Sequence, residues 1–449
     1  MKKAIIIPSN TDLNRGDQAL VWESIRLVED VYGKQNVECV LMCDLESPDS
    51  IMQNRQTEAL GYAMIDNILK HPGRKFKKKK ADSRAYSKLT MLQWGIQALI
   101  DYSRTRMILS SCSIVRKIGI LFLSKKQKKT VTEIESADSI FVKGGGFIHS
   151  YGGVTDPYFI YFLTYHIRLA EALGKKVIML PNSIGPLKNK LARYIATACL
   201  RNCSLVTVRE NISKKCLDEI DIESSLFPDL GFFLSPVDRD MSEYLKAHGV
   251  PLEKKKVVIT LRPYRFQGFS NPIELFNNYL DGVKSLVDFL IRKNYHVTFM
   301  AHTLGPSSHE NDSLAIKEVM EHISKDLLSN ISFIEDFNLN CRDLEKIYSY
   351  YDYMVGTRFH SVIFSLNVTV PSIAIAYGGN KGKGIMNVLG NDDFSIDMDK
   401  IQNNTLIDIF CNLEKCKEIY LQNLKKKRLI IDAEREKLIK VIQERLDLN

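Results

Sequence analysis

The 449-residue chain contains no apolar run of the roughly 18 residues that a membrane-spanning helix needs. Its opening, MKKAIIIPSN, is apolar only from Ala4 to Ile7 before Pro8, short of the ~7–15-residue core of a secretory signal. That stretch reads instead as a first β-strand, and the protein is expected to stay in the cytosol. The nine cysteines include no C-x-x-C pair; Cys39/Cys43 and Cys199/Cys203 each stand four apart. This argues against a zinc site and for reduced cysteines packed as small hydrophobes. The stretch His302–Asp312 holds His309, Glu310 and Asp312 but reads as a polar loop, and no metal is expected. The dinucleotide fingerprint G-x-G-x-x-G is missing. No internal repeat or low-complexity linker is visible.

Acidic residues are scarce in one segment. Residues 71–130 carry 16 Lys/Arg against only Asp82 and Asp101, a local +14, so the rest of the chain sums to −5 of the total +9. The segment begins RKFKKKK, continues through LTMLQWGIQALIDY and SIVRKIGILFL, and ends SKKQKK. It is expected to form an insertion of two amphipathic helices framed by basic runs. Packing on the first domain with a solvated basic rim is one reading; contact with an anionic membrane surface is the other. No nucleic-acid motif accompanies the charge, so no nucleic-acid partner is expected.

What is present is a rhythm. Two or three domains are expected for this length. Strand-like runs at 2–8, 36–43, 138–144, 175–181 and 203–209 alternate with helical patterns such as GDQALVWESIRLVEDVYG. The rhythm pauses at FPDLGFFLSPVDRD (227–240) and resumes with strands at 255–263, 295–302, 330–336, 351–358 and 370–377. Such alternation predicts parallel sheets covered by helices on both faces. The fold class is α/β: two doubly wound parallel-sheet domains facing a cleft. The expected division is 1–240, with the insertion 71–130, then 241–404, then a C-terminal helix, 405–449, broken along its length.

In open α/β sheets ligands bind beyond the carboxyl ends of strands, so polar groups just past strand ends are the candidates. In NRGDQAL, Gly16 permits a tight turn and Asp17 can cap the first helix or contact a sugar hydroxyl. In KGGGFIHSYGG, Gly144, Gly145 and Gly146 allow close approach of a ligand or a second backbone and can expose amides to an anion. Asn182 and Ser183 of LPNSIGPL can bind hydroxyls or shape a turn. Arg209 and Arg262 end strands, and each can serve an anion or a structural ion pair. GTRFHS is the sharpest: a strand ends, a helix begins, and the helix N-terminus favours an anion. Arg358 adds a fork suited to phosphate or carboxylate, and His360 can exchange a proton near neutral pH. Phe359 between them is expected to turn inward. In YGGNKGKG, Lys381 or Lys383 can reach a phosphate. These groups read as an anion pocket with an acid–base residue beside it.

The ordered motifs NRGDQAL, VKGGGF, NSIGPL, VRENIS, FPDLGF, TLRPY, GTRFHSVIFSLNVTVPSIAIAY and NKGKGIMNVLG resemble those of polysaccharide pyruvyl transferases, from about Asn10 to Gly390. Segment 71–130 is poorly covered by this resemblance. The resemblance implies a glycosyltransferase-B-like architecture and transfer of pyruvate from phosphoenolpyruvate to two hydroxyls of one sugar, giving a cyclic ketal. It implies His360 as the proton-transfer residue and Arg358 as the main donor anchor. Arg209, Arg262, Lys381 and Lys383 are further donor contacts, while Asp17, Gly144–Gly146 and Asn182 belong to the acceptor side. No cofactor is implied beyond phosphoenolpyruvate as co-substrate. The partner implied is a sugar acceptor, expected to be a lipid-linked oligosaccharide. On the membrane reading of segment 71–130, the enzyme is expected in the cytosol and peripheral on the inner face of the membrane. A nucleotide-sugar glycosyltransferase and a non-catalytic glycan-binding protein use the same fold class and stand as alternatives.

Overall fold

The computed structural model describes residues 1–9, 12–47, 50–72, 88–266, 268–377, 381–402 and 404–448; Lys88, Lys381, Gly382, Lys383 and Ile385 are described by backbone alone. The basic run at 74–80 lies outside the described residues. The chain divides into two compact units: Met1–Asp12, Leu20–Leu230 and Glu434–Asn449 form the first, Leu13–Ala19 and Gly231–Ala433 the second.

The first unit is built on β1 (Lys2–Ile7), β2 (Val37–Cys43), β3 (Ala63–Asp66), β4 (Ser139–Val142), β5 (Gly145–Ser150), β6 (Lys176–Leu187), β7 (Leu205–Val208) and β8 (Ser225–Leu226). Their order is β3-β2-β1-β4-β6-β7-β8, with β5 paired to β6, and every pairing is parallel. Ala4 to Ile7 are all buried, as a strand covered on both faces requires. The segment expected to be a glycine loop after β4 is thus partly a strand.

The expected insertion is shorter than 71–130. The helices Lys88–Ile108 and Ser113–Leu121 belong to it, but SKKQKK opens a third helix, Lys125–Ser136, which is a sheet crossover between β3 and β4. Ser124 and Gln127 form a capping box at its start. Thr130 Oγ1 donates to the Asp66 carbonyl at 2.7 Å, and Val131 and Ile134 enter the core beneath the sheet. Its lysines are the outer side of a core helix.

The second unit carries β9 (Lys256–Thr260), β10 (His296–Met300), β11 (Ile331–Ile334), β12 (Tyr353–Gly356), β13 (Ser372–Ala376) and β14 (Ser395–Asp397). The order is β11-β10-β9-β12-β13-β14, again all parallel. In each sheet the winding reverses once, between β1 and β4 and between β9 and β12. The crevice at such a reversal is where this architecture takes ligands.

The division falls at Leu230/Gly231 rather than near 240. Asp229 is bonded to Arg209, while the carbonyls of Gly231 and Phe232 accept from Asn367 Nδ2 at 2.8 Å and Arg428 Nη1 at 2.7 Å. The closing helix, Thr405–Leu446, runs 42 residues without the expected break. It contains neither Gly nor Pro to interrupt it.

Candidate active site

The register of the second sheet sets the site. Thr260 of β9 pairs with Gly356 of β12, so Arg262 and Arg358 each lie two residues past one paired rung. Thr357 closes the turn by donating its N–H and Oγ1 to the Thr260 carbonyl at 3.1 and 3.0 Å. Ser361 Oγ donates to the Arg358 carbonyl at 2.6 Å, and the helix Phe359–Asn367 begins at once.

Arg358 is buried, and its Nε and Nη2 both reach Asp312 Oδ1, at 2.7 and 2.6 Å. The other oxygen, Oδ2, accepts the N–H groups of His302 at 3.0 Å and Thr303 at 2.8 Å. Burial works against a charge on Arg358, but the Asp312 carboxylate, with Tyr377 and Glu310 adding to it, more than offsets burial and raises the guanidinium pKa. Asp312 therefore holds one side of the guanidinium fork. The Arg262 guanidinium lies over the Tyr377 ring, 4.2 Å from its centroid. Its buried Nε has no hydrogen-bond partner among the described residues. Phe359 is half-buried, its ring edge-on to the His360 imidazole at 6.0 Å, and not turned wholly inward as expected. A first position in a helix that opens at a strand end leaves it near the surface.

His360 is held against a second helix start. The segment Leu13–Ala19, counted with the second unit, is tied to the strand end after β10. Leu304 N–H donates to the Leu13 carbonyl at 2.8 Å, and Arg15 N–H to the His302 carbonyl at 3.3 Å. A Cβ at Gly16 would lie 2.3 Å from His360 Nδ1, so only glycine lets the imidazole sit there. Asn14, not Asp17, caps the helix Arg15–Tyr32: its Oδ1 accepts from Gly16 N at 3.2 Å and Asp17 N at 3.4 Å. Asp17 accepts from Asn14 Nδ2 at 2.8 Å. It stands with the Arg358 cluster, where sequence reasoning had assigned it to the N-terminal domain.

The loop after β10, read from sequence as an ordinary polar loop, supplies much of the site. Burial, with Arg265, Arg262 and Arg358 nearby, pulls His309 down to about 4. Burial pushes the Glu310 carboxyl up from its ordinary value, while Arg358 and Arg262 pull against that rise. His302 falls well below its usual range through burial, with His360, Arg358 and Arg15 adding to the effect. The strand-end rule applied to β10 reaches His302, whereas Asp312 opens the next helix and carries no such signal. Lys381 and Lys383 open the helix Lys381–Leu389, but their side chains lie outside what is described, as do residues 378–380.

The candidates of the first unit are tied into its own framework. Arg209 is buried, donates from Nε to Ser183 Oγ at 2.7 Å and is ion-paired through Nη1 to Asp229. Asn182 is fully buried, and its amide donates to the Lys143 and Leu180 carbonyls at 3.0 and 2.8 Å. Gly144 has the Pro181 carbonyl oxygen 2.9 Å from where a Cβ would stand, so its close approach is to a second backbone. Gly145 and Gly146 lie in β5, with Gly145 paired to Asn182. At the β1/β4 reversal a cavity of about 70 Å³ is lined by Ile7, Val142, Phe147, Phe162 and His166. Burial pulls His166 down to about 3, and its Nε2 accepts the Ile68 N–H at 3.0 Å.

The second unit thus offers two guanidinium groups, an imidazole and two helix starts in one region, which suits a doubly anionic ligand beside a proton carrier. Solved structures share the fold. A putative UDP-N-acetylglucosamine 2-epimerase from Listeria monocytogenes superposes with TM-score 0.58 at 11% identity, covering 100% of this chain and 97% of that one. Arabidopsis thaliana UGT89C1, solved with UDP, gives 0.53 at 10% identity over 98% and 99%. The glycosyltransferase-B-like class is therefore the fold of this chain. By sequence, the amylovoran biosynthesis protein AmsJ of Erwinia amylovora is 22% identical over 285 residues, 61% of this chain and 65% of AmsJ. The alignment thus spans just under two thirds of that relative's length. A family model matches residues 14–379, which include Asp17, Arg262, Asp312, Arg358 and His360, and by this match the chain belongs to the polysaccharide pyruvyl transferase family.

Proposed function

We propose that the protein transfers a pyruvyl group from phosphoenolpyruvate to two hydroxyls of one sugar in a cell-surface polysaccharide or its lipid-linked precursor. The observation that carries this reading is the pairing of Thr260 with Gly356, which sets Arg262 and Arg358 at one level, with His360 seated against Gly16. Phosphoenolpyruvate presents a phosphate and a carboxylate, and two guanidinium forks match them. His360 delivers a proton to C3 of the enol, and C2 becomes electrophilic. The first sugar hydroxyl adds its oxygen to C2 and loses its proton, which recharges the base. The second hydroxyl attacks the same carbon, the C2–O bond to phosphate breaks, and the hydroxyl proton leaves with inorganic phosphate. The products are the cyclic ketal and phosphate. Arg358, braced by Asp312, and Arg262 stabilise the departing phosphate as its charge grows.

Mass spectrometry of lipid-linked oligosaccharides after incubation with phosphoenolpyruvate tests the reading. A pyruvyl ketal gain with matching phosphate release is expected. Sugar transfer from a nucleotide sugar, with no product from phosphoenolpyruvate, would overturn it.

A further inference from the structure

The helix Lys88–Ile108 carries its polarity inside out. Leu89, Leu92, Ile96 and Leu99 recur at helical spacing, with Ile100 beside them, and each is between 56% and 67% exposed. The opposite stripe, Gln97, Asp101 and Thr105, is buried. Those polar groups are satisfied where they are. Gln97 Nε2 donates to Asp101 Oδ1 at 3.1 Å, and Thr105 Oγ1 donates to the Asp101 carbonyl at 2.6 Å and meets Tyr161 Oη at 2.8 Å. The Thr105–Tyr161 bond ties this buried stripe to the helix Asp156–Ala172, which leaves the apolar stripe outward.

The next helix, Ser113–Leu121, continues the pattern. Ile114, Ile118, Leu121 and the adjoining Phe122 are between 42% and 71% exposed. Arg116 fastens this helix by donating from Nη2 to the carbonyls of Ser110 at 2.9 Å and Ala172 at 3.0 Å. Two anchored helices thus present apolar residues outward, far more than isolated surface hydrophobes would explain.

Charge selects what covers them. Residues 88–130 contain nine Lys/Arg and one acid, Asp101, which is buried. Among the described residues Arg106, Lys117, Lys125 and Lys129 are exposed. A second copy of the chain would set this surface against itself, positive on positive. An anionic bilayer answers both features at once, with acyl chains for the leucines and head groups for the lysines. No helix among the described residues is long and apolar enough to cross a membrane, so the contact lies along the surface.

We propose that the faces of Lys88–Ile108 and Ser113–Leu121 lie in the interface of an anionic lipid surface. Their place in the unit makes this useful. Trp94 stacks edge-on to His71 at 5.0 Å, and His71 lies 6.5 Å from Phe159. His71 follows the carboxyl end of β3, and Phe159 stands in the first turn of the helix that follows β5. The apolar helix therefore starts at the sheet edge where ligands of this fold bind. A lipid-linked acceptor would keep its lipid in the bilayer beside that edge; this last point rests on the proposed function, whereas the lipid contact does not.

Vesicle flotation of the full chain tests the proposal, using phosphatidylcholine alone and mixed with phosphatidylglycerol, at low and high salt. Binding to anionic vesicles only, weakened as salt screens charge beyond roughly 10 Å at 0.1 M, is expected. Arg106→Gln with Lys117→Gln and Lys129→Gln should weaken partitioning on the order of a hundredfold, at about 1 kcal/mol per cation. Leu92→Glu with Leu99→Glu should abolish it. Leu429→Glu with Ile430→Glu, equally exposed but on the helix Thr405–Leu446, should leave it intact. Melting and phosphoenolpyruvate titration of each variant report folding and donor binding separately, so loss of the donor reading is distinguishable from loss of this one. Absence of binding to anionic vesicles overturns the proposal. So does self-association in sedimentation equilibrium that the Leu92/Leu99 variant dissolves, or equal loss in the Leu429/Ile430 control.

Discussion

The carboxyl edges of the two sheets carry similar inventories and use them differently. Each has an arginine at a strand end paired to an aspartate: Arg209 with Asp229 in the first unit, Arg358 with Asp312 in the second. In the first, the arginine Nε donates to Ser183 Oγ, and the Asn182 amide nitrogen donates to two backbone carbonyls. In the second, the aspartate grips Arg358 through a single oxygen, and Arg262, His309, Glu310 and His360 stand around it. One edge is closed on its own framework, while the other gathers several titratable groups around its ion pair.

The largest expected break of this contrast is His360→Ala. Loss of general acid–base help typically lowers rate about 10²–10⁴-fold, and turnover at saturating phosphoenolpyruvate should fall in that range with donor affinity little changed. Unaltered turnover would make His360 a packing residue. Next is Arg209→Ala, which leaves Asp229 buried without its cation. Breaking such a buried pair costs about 3–5 kcal/mol, which denaturant melts should show, while the protein that remains folded binds donor normally. A loss of donor affinity without a loss of stability would reverse the roles assigned to the two edges.

Gly16→Ala acts on the second edge through space. Its Cβ would collide with the imidazole, and a displacement near 1 Å can cost about 10²-fold in rate. The expected result is a turnover defect with a melting temperature near that of the parent. A fully active Gly16→Ala protein would show that His360 has no fixed seat.

The smallest expected effect is on pH dependence. Burial pushes Glu171 in the first unit up to about 8, and burial pulls His296 in the second down to about 4. The neutral form of Glu171 is favoured by folding, so its contribution is complete below the unfolded value near 4.5 and is lost as pH rises toward 8. Neutral His296 is likewise favoured, so its contribution is complete above about 6.5 and is lost as pH falls toward 4. Glu171→Gln should flatten the alkaline decline in stability, and His296→Gln the acidic one. Parallel melting curves of parent and variants across pH 4–8 would contradict this division.

Much of this was legible in the sequence. Alternating apolar runs marked the long strands, and positions just past strand ends marked Arg262 and Arg358 as candidates, with His360 in the first turn of the helix that follows. Asp312 was missed because its role depends on a partner 46 residues away. Asp17 was placed with the wrong unit because Leu13 and Arg15 are claimed by backbone bonds to the loop after β10. Helical spacing in Lys88–Ile108 was visible, but not which face turns in, since Gln97, Asp101 and Thr105 are buried through bonds to each other and to Tyr161. The strand β5 escaped because Gly144–Gly146 read as lining for a ligand or a second backbone, while the pairing of Gly145 with Asn182 is a tertiary fact.

On the proposed function, the donor is held at the edge of the second sheet. Calorimetric titration of phosphoenolpyruvate into the parent, Arg209→Lys, Arg262→Gln and Arg358→Lys proteins reads this out. A lost charged hydrogen bond is worth about 1.5–3 kcal/mol, or roughly 10- to 100-fold, and lysine cannot reproduce the guanidinium fork. That weakening is expected for Arg262→Gln and Arg358→Lys, and parent-like affinity for Arg209→Lys. Parent-like affinity in the first two, with loss in Arg209→Lys, would contradict it.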